Sequence, residues 1–84
     1  MQQSLKNRTK ILNDIHQERS RQDHLHPEEK TMSERYVTLG EEIGEVSTAI
    51  QNNDNENLYE ELIQVAAVAV RMAEQVIEGD VNAN

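Results

Sequence analysis

From Leu62 to Ala73 the chain reads Leu-Ile-Gln-Val-Ala-Ala-Val-Ala-Val-Arg-Met-Ala, and only Gln64 and Arg71 in it are strongly polar. At helical spacing such a run projects apolar side chains on nearly every side, as a helix covered on most of its faces requires. Few elements are available to do the covering. The chain has 84 residues, and a domain of that size buries only about 60% of the surface its unfolded chain exposes. Cysteine is absent, so disulfides and thiolate-held metals are excluded. Oligomerisation, a site for a hard metal, or both are left to support the fold. The expectation is an all-α protein: a helical hairpin plus an N-terminal helix, completed as a four-helix-type bundle by a homodimer or homotetramer.

The rest of the chain fits this plan. With one Pro, three Gly and much Glu, Gln, Ala and Leu, helix is favoured over strand. Thirteen of the nineteen Leu, Ile and Val residues fall between Val37 and Ile77, so the core belongs to the C-terminal half. A first helix is expected from Ser4, as N-cap, to about Arg21, with Leu5, Leu12, Ile15 and Arg19 near one stripe. Pro27 disfavours helical geometry at His26 and opens a polar loop to Thr31. Thr31 and Glu34 have capping-box spacing, placing a second helix from Met32 or Ser33 to Gln51. Its apolar face gathers Tyr36, Leu39, Ile43, Val46, Ser47 and Ile50. Gly40 and Gly44 flank that face and read as a place where another helix comes close. Asn52 to Asn55 is a turn signal short enough for an antiparallel hairpin. The third helix is expected from Glu56 to Glu78, with Gly79 as its stop. Residues 1–79 thus form one domain, and 80–84 a frayed tail.

Charge narrows the partners. The net charge of −8 repels phosphate backbones and anionic lipid headgroups, which argues against nucleic-acid and membrane binding. No apolar run approaches the ~18 residues of a membrane span. Met1-Gln2-Gln3-Ser4 lacks the apolar stretch of a signal peptide. The expected location is cytoplasmic.

The charge is also patterned. The second helix holds Glu41, Glu42 and Glu45, and the third holds Glu60 and Glu61 with Gln64 one turn on. Residues three apart on a helix are neighbours, so Glu42 with Glu45, and Glu61 with Gln64, can converge across the hairpin. Glu61 falls between Val65, Val68 and Met72 on its wheel, where a carboxylate is costly unless paired or metal-bound. Mg²⁺ or Mn²⁺, which prefer oxygen ligands, would neutralise such a cluster. Pairs of Glu at this spacing also occur on solvated helix faces, and spacing alone does not separate the two cases.

The stretch from Leu39 to Arg71 resembles the MazG-like family of all-α nucleoside triphosphate pyrophosphohydrolases. Glu41-Glu42-Ile43-Gly44-Glu45 matches the family's Glu-Glu-x-x-Glu, and Glu60-Glu61-Leu62-Ile63-Gln64 stands where the family has Glu-Glu-x-x-Asp. The Val-Ala-Ala-Val-Ala that follows, and Glu18 to Asp23 upstream, are also similar to family members. The resemblance implies Mg²⁺-dependent cleavage of the α–β bond of a nucleoside triphosphate, giving the monophosphate and pyrophosphate, by dimeric or tetrameric bundles. It implies Glu42, Glu45 and Glu61 as metal ligands, and Glu41 as a ligand to a second ion or a water-orienting base. Gln64 departs from the pattern. It offers a carbonyl oxygen but no charge and cannot serve as a base at neutral pH. It fits a weak ligand, a substrate contact, or a subgroup without the activity, so a non-catalytic helical module that binds nucleotide or a protein partner stands as the alternative.

Arg71, seven residues after Gln64 on the same face, and Arg19 on the first helix are candidates for phosphate contacts; ion pairs within the protein are the competing role for both. His24 and His26 beside Pro27 are too few for a zinc site. Tyr36 and Tyr59, the only aromatic residues, can stack on a base or pack in a core or interface. No Gly-rich phosphate loop and no nucleophile with a His partner is evident.

Overall fold

The computed structural model describes residues 2–79, and among them the fold is all-α: α1 (Gln2–Leu25), α2 (Met32–Gln51) and α3 (Asn55–Ile77). The expected tail, residues 80–84, lies outside the described residues. No helix among them is long and apolar enough to cross a membrane.

Local chemistry sets each boundary. Ser4 is not a cap, because α1 already runs through it from Gln2. At its other end α1 continues past Arg21 to Leu25, and the His26 N–H closes the last turn on the Gln22 carbonyl at 2.8 Å. Pro27 then stops it at Leu25, just before His26, the residue whose helical geometry it disfavours. Thr31 caps α2 in the anticipated box: its hydroxyl accepts from the Glu34 N–H at 3.1 Å, and its own N–H donates to the Glu34 carboxylate at 2.9 Å. The hairpin turn places Asn53 at φ 53°, a left-handed conformation that Asn tolerates better than most side chains. Asp54 then caps α3 by accepting from the Asn57 N–H at 3.2 Å. Gly79, at φ +76°, follows the last turn as expected.

α3 is the axis of the molecule, with α2 packed along one side of it and α1 along another. The buried apolar core is small: Ala49 from α2, and Ile63, Ala67 and Val68 from α3. α1 joins through polar ties. The Tyr59 hydroxyl donates to Asp14 at 2.6 Å, and the buried Arg19 bonds Glu74 through Nε at 2.6 Å and also pairs with Asp23. Only the second half of the expected α1 stripe engages. Ile15 is half-buried, whereas Leu5 and Leu12 are exposed.

One face of the hairpin has no cover. Tyr36, Ile43 and Ile50, seven residues apart along α2, are 68%, 53% and 57% exposed. By helical spacing they lie a quarter turn from the side that meets α3. Leu62, Ala69, Ala73 and Val76 form the corresponding stripe of α3, exposed and free of polar residues. The side of α2 that does meet α3 carries Arg35, Thr38, Leu39, Glu42, Val46 and Ala49 instead. The expected apolar face of α2 is therefore split, with Leu39 and Val46 turned inward and Tyr36, Ile43 and Ile50 outward. The chain exposes 6253 Å², against about 5,100 Å² for a compact folded chain of its mass. Its radius of gyration is 14.1 Å, against about 12 Å for a compact domain of this length.

Within the chain, Gly40 and Gly44 do not serve a close helix approach, since a Cβ built at either meets nothing within 4 Å. Substituting Ala should therefore stabilise an isolated chain by roughly 0.5–1 kcal/mol per site through helix propensity. Thermal denaturation of Gly40→Ala and Gly44→Ala checks this. A drop in stability that grows with protein concentration would mean that another molecule's helix rests on these glycines.

Candidate acidic site and the adjoining cavity

Glu42, Glu45 and Glu61 meet where α2 crosses α3. One carboxylate oxygen from each lies within 4.8 Å of the others. The convergence follows from the capped turn: Asn52 to Asp54 reverses the chain so that the Glu42–Glu45 edge of α2 faces the first turns of α3. Glu42 and Glu61 are half-buried and Glu45 is exposed.

Three carboxylates this close cannot all ionise freely. Burial, then Glu45 and then Glu42, push the Glu61 carboxyl up to about 7. Burial and Glu45 raise Glu42 as well, in the same direction. Near neutral pH the cluster therefore carries a shared proton that a cation can displace. Hard oxygen donors, mutual repulsion and partial exposure together suit a divalent ion such as Mg²⁺ or Mn²⁺.

Gln64 sits beside the cluster in an unanticipated role. Two carboxylates face its amide, so the amide is assigned with nitrogen toward them: in that orientation Nε2 donates to Glu42 Oε2 at 2.8 Å and to Glu61 Oε2 at 3.3 Å. An Asp here would add a fourth acid, whereas Gln supplies donors to two of the three. The opposite orientation of the same amide, with oxygen toward Glu42 and Glu61, is the one that would ligate an ion. Glu41 is exposed on α2 and is not among the three clustered acids.

A cavity of about 430 Å³ opens next to the cluster, lined by Glu42 and Gln64 and, around the rest, by mixed charges: Arg19, Arg35, Lys30 and Arg71 stand among Glu18, Asp23, Glu28 and Glu29. Arg19 and Arg71, both singled out from the sequence, are thus brought to the same space, but both are ion-paired. Arg19 holds Asp23 and Glu74, while Arg71 donates to Glu78 at 2.9 Å and lies 4.0 Å from Glu74. Tyr36 is exposed on the uncovered face of the hairpin, and Tyr59 is occupied with Asp14. His24 lies in the last turn of α1, and His26 stands 3.7 Å from Glu28; both are exposed.

Two residues escaped sequence reasoning. Glu18 of α1 lines the cavity, accepts from Arg21 at 3.0 Å, and adds to the repulsion felt by Glu42. Arg35 lines it from α2. The signal for Arg35 was available: it precedes Glu42 by two turns on the same stripe. Nothing in periodicity marks Glu18, because its place depends on how α1 is set against α3.

Comparisons of the chain with protein-family models, with curated proteins and with solved structures found no match.

The shared proton gives a pH signature. In the unfolded chain Glu61 titrates at its ordinary 4.5, and in the folded one at about 7. Between those values the folded state holds a proton that the unfolded state has lost, so this group's stabilisation is present at low pH and fades as pH rises through about 7. In EDTA, the melting temperature of the wild type relative to Glu61→Gln should fall from pH 5 to pH 8. Saturating Mn²⁺ should reverse the fall in the wild type alone. Parallel profiles for the two proteins would show that Glu61 does not carry the shared proton.

Proposed function

We propose that the chain is a divalent-metal-dependent nucleoside triphosphate pyrophosphohydrolase that cleaves the α–β phosphate bond to give the monophosphate and pyrophosphate. The observation that carries this reading is the convergence of Glu42, Glu45 and Glu61 beside a cavity that also holds arginines. It agrees with the resemblance to the MazG-like family, which implies the same three residues as metal ligands. Glu42, Glu45 and Glu61 would hold Mg²⁺, and Glu61 would release its proton on doing so. When bound, the ion would neutralise phosphate oxygens and lower the pKa of a water. Glu41, one turn before Glu45, is a neighbour by helical spacing and fits the orienting of that water. Such an ion would also offset the repulsion between the acidic cluster and a polyanionic substrate.

The uncovered face of the hairpin supports a homodimer built on Tyr36, Ile43, Ile50 and Leu62. The surface in excess of the compact expectation, roughly 1,200 Å² and shared with the exposed first half of α1, leaves room for the about 800 Å² that each partner of a stable interface buries. A charged side chain at its centre should separate the copies. Light scattering of Ile43→Glu and Leu62→Glu should return the mass of one chain where the wild type returns two or more. A wild type that is monomeric at micromolar concentration would remove this part of the reading.

One observation favours the alternative of a non-catalytic nucleotide- or protein-binding module: Gln64 already relieves two of the acids without metal. Activity decides between them. Pyrophosphate release from a panel of NTPs and dNTPs should require Mg²⁺ or Mn²⁺ and should drop by at least about 100-fold in Glu42→Gln, as loss of a group acting on developing charge does. Absence of release across the panel, from folded protein, would favour the binding module.

A further inference from the structure

Five cationic side chains line the cavity, Arg19, Arg21, Lys30, Arg35 and Arg71, and they are not equivalent. Arg19 and Arg71 share Glu74 and hold Asp23 and Glu78 besides. Arg35 has no ion pair among the described residues. Its Nε is buried and donates to nothing. Burial, then the like charges of Arg71 and Arg19, depress its guanidinium below the ordinary arginine value, so the three guanidiniums act on one another. A half-buried guanidinium whose Nε is buried and idle, in an otherwise acidic chain, leaves a donor unsatisfied unless something fills the space before it. The planar fork of arginine matches the geometry of phosphate oxygens, which accept two parallel N–H bonds. The space before it, about 430 Å³, is enough for a small ligand.

We propose that Arg35 anchors an oxyanion subsite for a phosphoryl group at the loop end of this cavity, with Lys30 at its rim and Arg71 beside it. The subsite stands without any metal, because no carboxylate of the acidic cluster is needed to form it. Its assignment to the phosphate tail of a nucleotide rests on the hydrolase reading. On that reading the far phosphates lie toward Arg35 and the bond to be cleaved lies toward Glu42. Substrates lacking a polyphosphate tail would then be poor ligands.

The test uses the full chain in EDTA, titrated with inorganic pyrophosphate and, in a second arm, with a non-hydrolysable nucleoside triphosphate. The readouts are calorimetry and the NMR signal of the Arg35 Nε–H group. The wild type should bind, with that signal shifting on saturation. Arg35→Gln should lose affinity by roughly tenfold or more, as removal of a charge-assisted bond does. Arg35→Lys should retain part of it, and Arg8→Gln, exposed on α1, should match the wild type. Tighter binding of the nucleotide assigns the subsite to a substrate's tail, and equal or tighter binding of pyrophosphate assigns it to a free oxyanion; either order upholds it. An unmoved Nε–H signal at saturating pyrophosphate overturns the proposal, and so does full affinity in folded Arg35→Gln. The signal in the wild type decides even where a variant does not fold. Metal-dependent hydrolysis that survives such a failure sinks the subsite alone. Arg35-dependent binding in a protein that hydrolyses nothing sinks the hydrolase reading alone.

Discussion

The architecture depends on α3 being apolar on more sides than one chain can cover. A helix offers roughly three packing faces, and α3 uses one for α2 and another for α1. The third, from Leu62 to Val76, faces outward with Tyr36, Ile43 and Ile50 of α2 beside it. The hydrophobic contribution within one chain is correspondingly slight, since four buried apolar residues, two of them alanine, make the core. Burial of a side chain such as Val or Ile is worth about 1.5–3 kcal/mol, which is small against the entropy of ordering three helices. Polar ties take up part of the burden, which is why a buried arginine and a tyrosine–aspartate bond, rather than leucines, fix α1 in place.

The same shortage of apolar cover shapes the acidic site. Glu61 projects toward α2 from within an otherwise hydrophobic stripe, and α2 answers with two more acids. Repulsion among them is relieved by a retained proton and by the Gln64 amide. The cluster therefore holds an electrostatic strain that a divalent cation, or protonation, releases. The donor role of Gln64 also gives a physical meaning to its departure from the Asp of the resembling motif. It lowers the negative charge by one and leaves the site easier to keep folded when empty.

Much of this was legible in the sequence, and for identifiable reasons. Periodicity and capping chemistry located α2, α3 and the turn between them within a residue, because Thr31, Glu34, Asn53 and Asp54 act over one or two turns of chain. The convergence of Glu42, Glu45 and Glu61 followed from the hairpin and the three-residue spacing. Whatever depended on how one helix lies against another was not legible. The wheel showed Tyr36, Leu39 and Ile43 on one broad face, but only packing could show that the face divides between inside and outside. Glu18 and Arg35 acquire meaning from the docking of α1 and the loop. The glycine pair pointed to a neighbour that this chain does not itself supply.

A last consequence concerns the loop that borders the cavity. Its backbone is tied to α3 by one side chain, the fully buried Gln75, whose Nε2 donates to the Lys30 carbonyl at 3.2 Å while its Oε1 goes without a partner. Gln75 lies only one turn from the end of α3 at Ile77. Helix ends are where local opening costs least free energy. Each transient unwinding of that last turn would let go of the loop beside Lys30, so the mouth of the cavity shares the opening rhythm of the helix terminus. The cavity mouth is thereby tied to the last turn of α3, fourteen residues along the helix from Glu61 to Gln75.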